Sequence, residues 1–128
     1  MPPPYDVHNF LSLLGIDVDE ERLVGHFVVT HALIAGTGYL WAPVVVTLAD
    51  ALCAFGVARH WPEGATSFTT VEAKTNFMSS AKEDEVVSGV AEAVHLGSTT
   101  QVWDATISNQ TTGRRMAVYR CTQLILYR

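Results

Sequence analysis

The sequence predicts an α+β fold: an antiparallel sheet of about five strands wrapped around one long central apolar helix. Three observations carry that expectation. Between Pro43 and Val57 the only clearly polar side chains are Thr47 and Asp50, and a helix that is apolar on every face is a buried one. After Gly64 the pattern changes to period two, the signature of strands. Those strands are separated by short turns, at 82–85, 97–98 and 111–114, and connections so short join antiparallel neighbours.

In chain order, residues 1–15 form a helical lead-in. Asp6–Leu14 is amphipathic, with Asp6 as an N-cap and Gly15 as a stop. Ile16–Val18 opens a first strand, and Arg22–Thr30, rich in β-branched residues, is the next. Ala35–Gly38 is a loop. Pro43 suits the first helical position, where its missing N–H costs nothing, and it moves Ala42 out of helical geometry. The helix runs to about His60 and Trp61–Gly64 closes it. Thr66–Phe77, Val86–Leu96, Thr99–Asn109 and Arg115–Tyr127 are expected to form an antiparallel meander.

Length and composition bound the rest. The chain has 128 residues, 48% of them hydrophobic and 16% charged, which suits a single domain over 1–128 with a sizeable core. So few charges on a small chain also imply surface hidden in an oligomer. A net charge of −5 and the lack of a basic run argue against nucleic-acid binding. The N-terminus lacks the basic and apolar regions of a signal peptide. The apolar helix is shorter than the roughly 20 residues a bilayer requires. The expectation is therefore a cytoplasmic protein without a membrane partner. Cys53 and Cys121 form no ligand pattern and read as free buried thiols. Five scattered histidines make no metal motif.

Asp50 is the residue that this pattern does not explain. A carboxylate within an apolar helix is costly unless it is neutralised, paired or used. Two roles are open to it. One is proton exchange with a water during acyl transfer; the other is structural, as a loop cap or an ion-pair partner.

Three segments carry a resemblance. Gly38-Tyr-Leu-Trp-Ala-Pro-Val-Val-Val-Thr-Leu-Ala-Asp50, Thr70-Val-Glu-Ala-Lys-Thr-Asn-Phe-Met-Ser-Ser-Ala81 and the final hairpin around Thr112-Gly113 resemble the PaaI-like acyl-CoA thioesterases of the hotdog fold. The resemblance covers roughly Ile16 to the end. It implies that Asp50 is the catalytic carboxylate, acting on a water or directly on the thioester. It also implies that the Ala42 N–H polarises the thioester carbonyl at the helix N-terminus, where the partial positive charge assists. Trp41 stands where the family has His, Ala42 and Pro43 where it has two glycines, and Ala35 where it has Asn or Gln. Ala54 replaces a frequent hydroxyl.

The resemblance further places Trp41, Pro43, Ala35 and Phe55 at the acyl pocket, with Thr70 at a Ser/Thr position that lies near the carboxylate in some relatives. Trp41 and Phe55 as walls suit a small or an aromatic acyl group. Coenzyme A belongs to the substrate, so no separate cofactor is expected. Its phosphates require cations or polar groups, and Arg59, Ser80, Lys82, Arg114 and Arg115 are the candidates. A dimer, or a tetramer of two dimers, is implied, with a site built from both subunits. The missing His, amide and hydroxyl motivate a second reading, a non-catalytic module that binds an acyl thioester or another apolar ligand. A dehydratase of the same fold fits less well, because His31 is the sole histidine near the motif and its spacing is wrong.

Overall fold

The computed structural model of the protein describes residues 6–128; the first five residues of the expected lead-in lie outside it. The elements are α1 (Asn9–Leu13), β1 (Asp17–Asp19), β2 (Val24–Val28), α2 (Ala42–Arg59), β3 (Ser67–Phe77), β4 (Val86–Leu96), β5 (Thr100–Asn109) and β6 (Arg114–Leu126). Among the described residues, six strands make one antiparallel sheet in the order β1-β2-β4-β5-β6-β3. This is the expected α+β architecture, and each of the six segments read as strands contributes one.

The last four strands are not a simple meander. β4, β5 and β6 follow one another, but β3 pairs with β6 along its whole length. The reason lies in the edges of β4. Val86–Val90 pairs with β2 on one side and β5 occupies the other, and the entry to β4 is tied to the end of β2 by Val29 N–H to Glu85 O and Asp84 N–H to Val29 O. The free edge left for β3 is that of β6.

α1 is shorter than expected. It starts at Asn9, and Asp6 instead accepts the His8 N–H through Oδ1 at 2.9 Å, a turn just before the helix. Gly15 does end the segment, with φ +72°, a conformation open to glycine without penalty. α2 begins one residue earlier than expected, with Ala42 first, Pro43 second and Trp41 as cap.

α2 packs across one face of the sheet. Val44, Val45, Leu48, Ala49, Leu52, Cys53, Gly56 and Val57 form its buried face, the i, i+1, i+4, i+5 stripe that one side of an α-helix presents. They meet Trp103, Ala105 and Ile107 of β5 and Ala117, Tyr119, Cys121 and Ile125 of β6, in one continuous core. Gly89 makes the approach close: a Cβ there would lie 2.7 Å from Ile107 Cδ1 and 3.0 Å from Leu52 Cδ1. The opposite face of α2 departs from the expectation of full burial. Val46, Thr47, Asp50, Ala51, Ala54 and Phe55 are only half-buried, because the sheet covers one side of a helix and the five-residue α1 is too short to cover the other.

Candidate active site

Asp50 sits on that second face, in the middle of α2. It is half-buried rather than sealed in the core. Its partner comes from β6: the Tyr119 hydroxyl donates to Asp50 Oδ1 at 2.6 Å. No other hydrogen bond among the described residues reaches the carboxylate, so Oδ2 is free. Tyr119 is 2% exposed, and burial, then the hydrogen bond and charge of Asp50, push its phenol well above the usual tyrosine value. It therefore remains a donor throughout the working pH range. A hydrogen bond to a charged acceptor contributes about 1.5–3 kcal/mol.

β6 can hold the phenol there because it is paired on both sides. Tyr119 faces Ala105 of β5 and Thr75 of β3 in register. Cys121, two residues on, points to the same face and lies under α2 beside Cys53; both thiols are free and fully buried. The hydrogen bond with Cys121, then burial, pushes Cys53 far above the ordinary thiol value. Neither cysteine lines the cavity described next.

Asp50 opens on a groove of about 580 Å³. Phe55, Ala51, Ala54 and Val46 of α2, Phe10 and Leu11 of α1 and Phe68 of β3 line it. His8 stacks on Phe55 with ring centroids 5.3 Å apart, which ties the start of α1 to this rim. Apart from Asp50, Thr47 and Glu20, the last 3.5 Å from His8 Nε2, the hollow is apolar and aromatic-lined.

The sequence-derived site residues fall into separate groups. Asp50 and Phe55 share the groove. Trp41, Ala42 and Pro43 are exposed at the start of α2, and Trp41, 14 residues before Phe55, stands about 21 Å from it along the helix axis. Within one chain these two aromatics do not wall one pocket. Ala35 belongs to the loop before α2, where its N–H donates to Tyr39 O at 2.7 Å. Thr70 is on the edge strand, and its hydroxyl donates to Gln123 Oε1 at 2.9 Å; it does not line the groove.

The start of α2 is anchored by its neighbours. Leu40 N–H donates to Ala81 O at 2.9 Å and Trp41 N–H to Leu33 O at 3.0 Å. The next N–H, that of Ala42, has no carbonyl acceptor among the described residues. It is one of the donors that a helix N-terminus leaves over, and it is exposed.

A second hollow, about 500 Å³, lies beside that helix start. Tyr39, Ser80, Lys82, Glu85, Asn109 and Arg114 are among its lining residues. Three of the phosphate candidates, Ser80, Lys82 and Arg114, are therefore brought together. Arg115 does not line it, and Arg59 is at the far end of α2, about 25 Å from Ala42.

A family model described as the thioesterase superfamily matches residues 37–116, well over half of the chain. The chain belongs to the thioesterase superfamily. Membership makes it a thioester hydrolase by class, and the matched stretch contains α2 with Asp50. The chain is 31% identical over 107 residues to the 1,4-dihydroxy-2-naphthoyl-CoA hydrolase of Listeria monocytogenes, covering 84% of this chain and 85% of that protein. A hypothetical thioesterase of Streptococcus pneumoniae, solved with coenzyme A, superposes with a TM-score of 0.72 at 26% identity, covering 82% of this chain and 78% of that one. Escherichia coli PaaI shares the fold, with a TM-score of 0.77 at 20% identity over 91% of this chain and 83% of its own.

Tyr119 is the site residue that sequence reasoning missed. The signal was present: on β6, Tyr119 falls in the inward-facing register with Ala117, Cys121 and Gln123, and a buried phenol requires a hydrogen-bond partner. Which partner it finds depends on how the helix lies on the sheet.

Proposed function

We propose that this thioesterase hydrolyses an acyl-CoA whose acyl group is small or aromatic, with Asp50 as the base that activates water. The observation that carries this reading is Asp50 itself, its Oδ2 unpaired at the edge of a groove lined by Phe10, Phe55 and Phe68. Oδ2 takes a proton from a water as the water oxygen bonds to the thioester carbonyl carbon. The developing oxyanion is held by the Ala42 N–H of a second subunit, where the helix end adds positive potential. The tetrahedral intermediate collapses, the C–S bond breaks, and the proton carried by Asp50 passes to the departing thiolate. The products are the free acid and CoA thiol.

The hollow at Ser80, Lys82 and Arg114 supports a role in holding the CoA phosphates, because two cations meet polar groups next to the α2 start. The exposed start of α2 and its half-buried second face support a dimer or a dimer of dimers; a cytoplasmic location is part of the same proposal. The names of the Listeria hydrolase and of the coenzyme A-bound structure agree with a CoA ester as substrate.

The test is thiol release from a panel of acetyl-, short-chain and aromatic acyl-CoAs. Hydrolysis of at least one ester is expected, with the aromatic and small members ahead of long chains. Calorimetric binding of the same esters with no hydrolysis over hours would replace this reading by the non-catalytic module.

A further inference from the structure

We infer that Tyr119 is a positioning residue for hydrolysis, holding Asp50 Oδ1 so that Oδ2 alone presents to the attacking water. The inference rests on Asp50 being the base.

The carboxylate has one protein partner at 2.6 Å and one free oxygen. A carboxylate torsion is broad and roughly two-fold, and no other hydrogen bond among the described residues chooses its plane. Val46, Ala51, Ala54 and Phe55, its neighbours along the groove, carry no donor in their side chains; Thr47 directs its hydroxyl to Pro43 O at 2.8 Å. The hydrogen bond from Tyr119 therefore sets the plane of the Asp50 carboxylate.

The phenol suits that role. It is buried, so water does not compete for its proton, and its strand is clamped between β5 and β3. Beneath it, Gln123 donates to Cys121 Sγ at 3.4 Å and accepts from Thr70, so the inward side chains of β6 next to Tyr119 are themselves fixed. Side chains fixed in this way are what hold a reacting group within a fraction of an ångström of its working geometry. Tyr119 lies on the last strand, β6. Here a strand tyrosine orients the carboxylate, while Ala54, one turn further along α2, offers no hydroxyl to do so.

The experiment is a double-mutant cycle on the full-length protein, with thiol release from its best acyl-CoA as readout. Tyr119→Phe keeps the ring and removes the donor. It is expected to lower kcat about tenfold to hundredfold, the cost of a misplaced reacting group, with KM within twofold. In an Asp50→Asn background the same change should alter the residual rate less than twofold, because the group it positions is no longer a base. Tyr119→Phe at wild-type kcat, with Asp50→Asn inactive, would overturn the positioning role and leave Asp50 as base. An equal loss from Tyr119→Phe in both backgrounds would also overturn it, as a general structural effect. Wild-type rates in Asp50→Asn would refute the reading of Asp50 itself. If Tyr119→Phe does not fold, fluorotyrosine at position 119 replaces it. The expected result is a kcat that changes with phenol acidity at constant KM; a kcat indifferent to acidity contradicts the role.

Discussion

Ala42 and Asp50 are eight residues apart on one helix, which separates the exposed N–H from the carboxylate by about 12 Å along its axis. One thioester carbonyl cannot touch both within a single chain. If both act on the same carbonyl, two chains must supply them. Ala42→Pro removes the donor and Asp50→Asn removes the base. Each variant is expected to be nearly inactive alone. Mixed after reversible dissociation, they should recover about a quarter of wild-type activity, since half the random dimers are mixed and each has one intact site. No recovery on mixing would contradict a site in which Ala42 and Asp50 of different chains act on one carbonyl.

The hollow holding Lys82 and Arg114 makes a separate prediction about binding. The double variant Lys82→Ala, Arg114→Ala should raise KM for CoA esters about five- to tenfold, as expected for two exposed charges worth somewhat under 1 kcal/mol each. kcat should stay within twofold. Added salt should raise the wild-type KM toward that of the variant. An unchanged KM at low salt would remove this hollow from the CoA site.

How much of this was legible in the sequence differs by element. The long helix was, because its apolar run and Pro43 are local signals. The β4–β5–β6 hairpins were, because their turns are short and polar. The place of β3 was not: pairing with β6 is decided by which edge is free once β2 takes the side of β4, a long-range competition that no local pattern reports. Asp50 stood out as one charge among apolar residues. Tyr119 did not, because inward-facing strand tyrosines are ordinary and its bond spans 69 positions of sequence. Ser80, Lys82 and Arg114 are separate candidates in the sequence, and it is the fold that gathers them and leaves Arg59 and Arg115 outside.

The seat of α2 on the sheet depends on Gly56. A Cβ there would come within 2.6 Å of Trp103 Cζ3, and the indole is pinned by its Nε1–H to Gln101 Oε1 at 2.9 Å. Gly56→Ala is expected to destabilise the fold by about 1–3 kcal/mol, the scale of overpacking, despite the better helix propensity of alanine. Calorimetry should show a Tm lower by several degrees. An unchanged or raised Tm would mean that the ring moves aside freely.

Glu85 links the turn at the start of β4 to pH. Its carboxylate accepts the Lys82 N–H at 2.6 Å and the Asn109 amide at 3.1 Å, and these bonds, the Lys82 one foremost, hold it below its ordinary 4.5. A carboxyl lowered in the folded state stabilises above its unfolded value and loses that contribution as pH falls through the folded one. Glu85→Gln should therefore be less stable than wild type at neutral pH and equal to it in strongly acid solution, as read by urea unfolding. A difference that persists unchanged in acid would contradict the assignment.

The central claim is that Asp50 is the base of a thioester hydrolase, and the Asp50→Asn variant tests it most directly. The substitution keeps shape and an acceptor for Tyr119 while removing the proton-accepting group. With folding confirmed by circular dichroism, kcat for the best acyl-CoA should fall about 10²- to 10⁴-fold, the range of general base catalysis, with little change in CoA-ester binding. A variant that hydrolyses the ester at the wild-type rate would contradict the account.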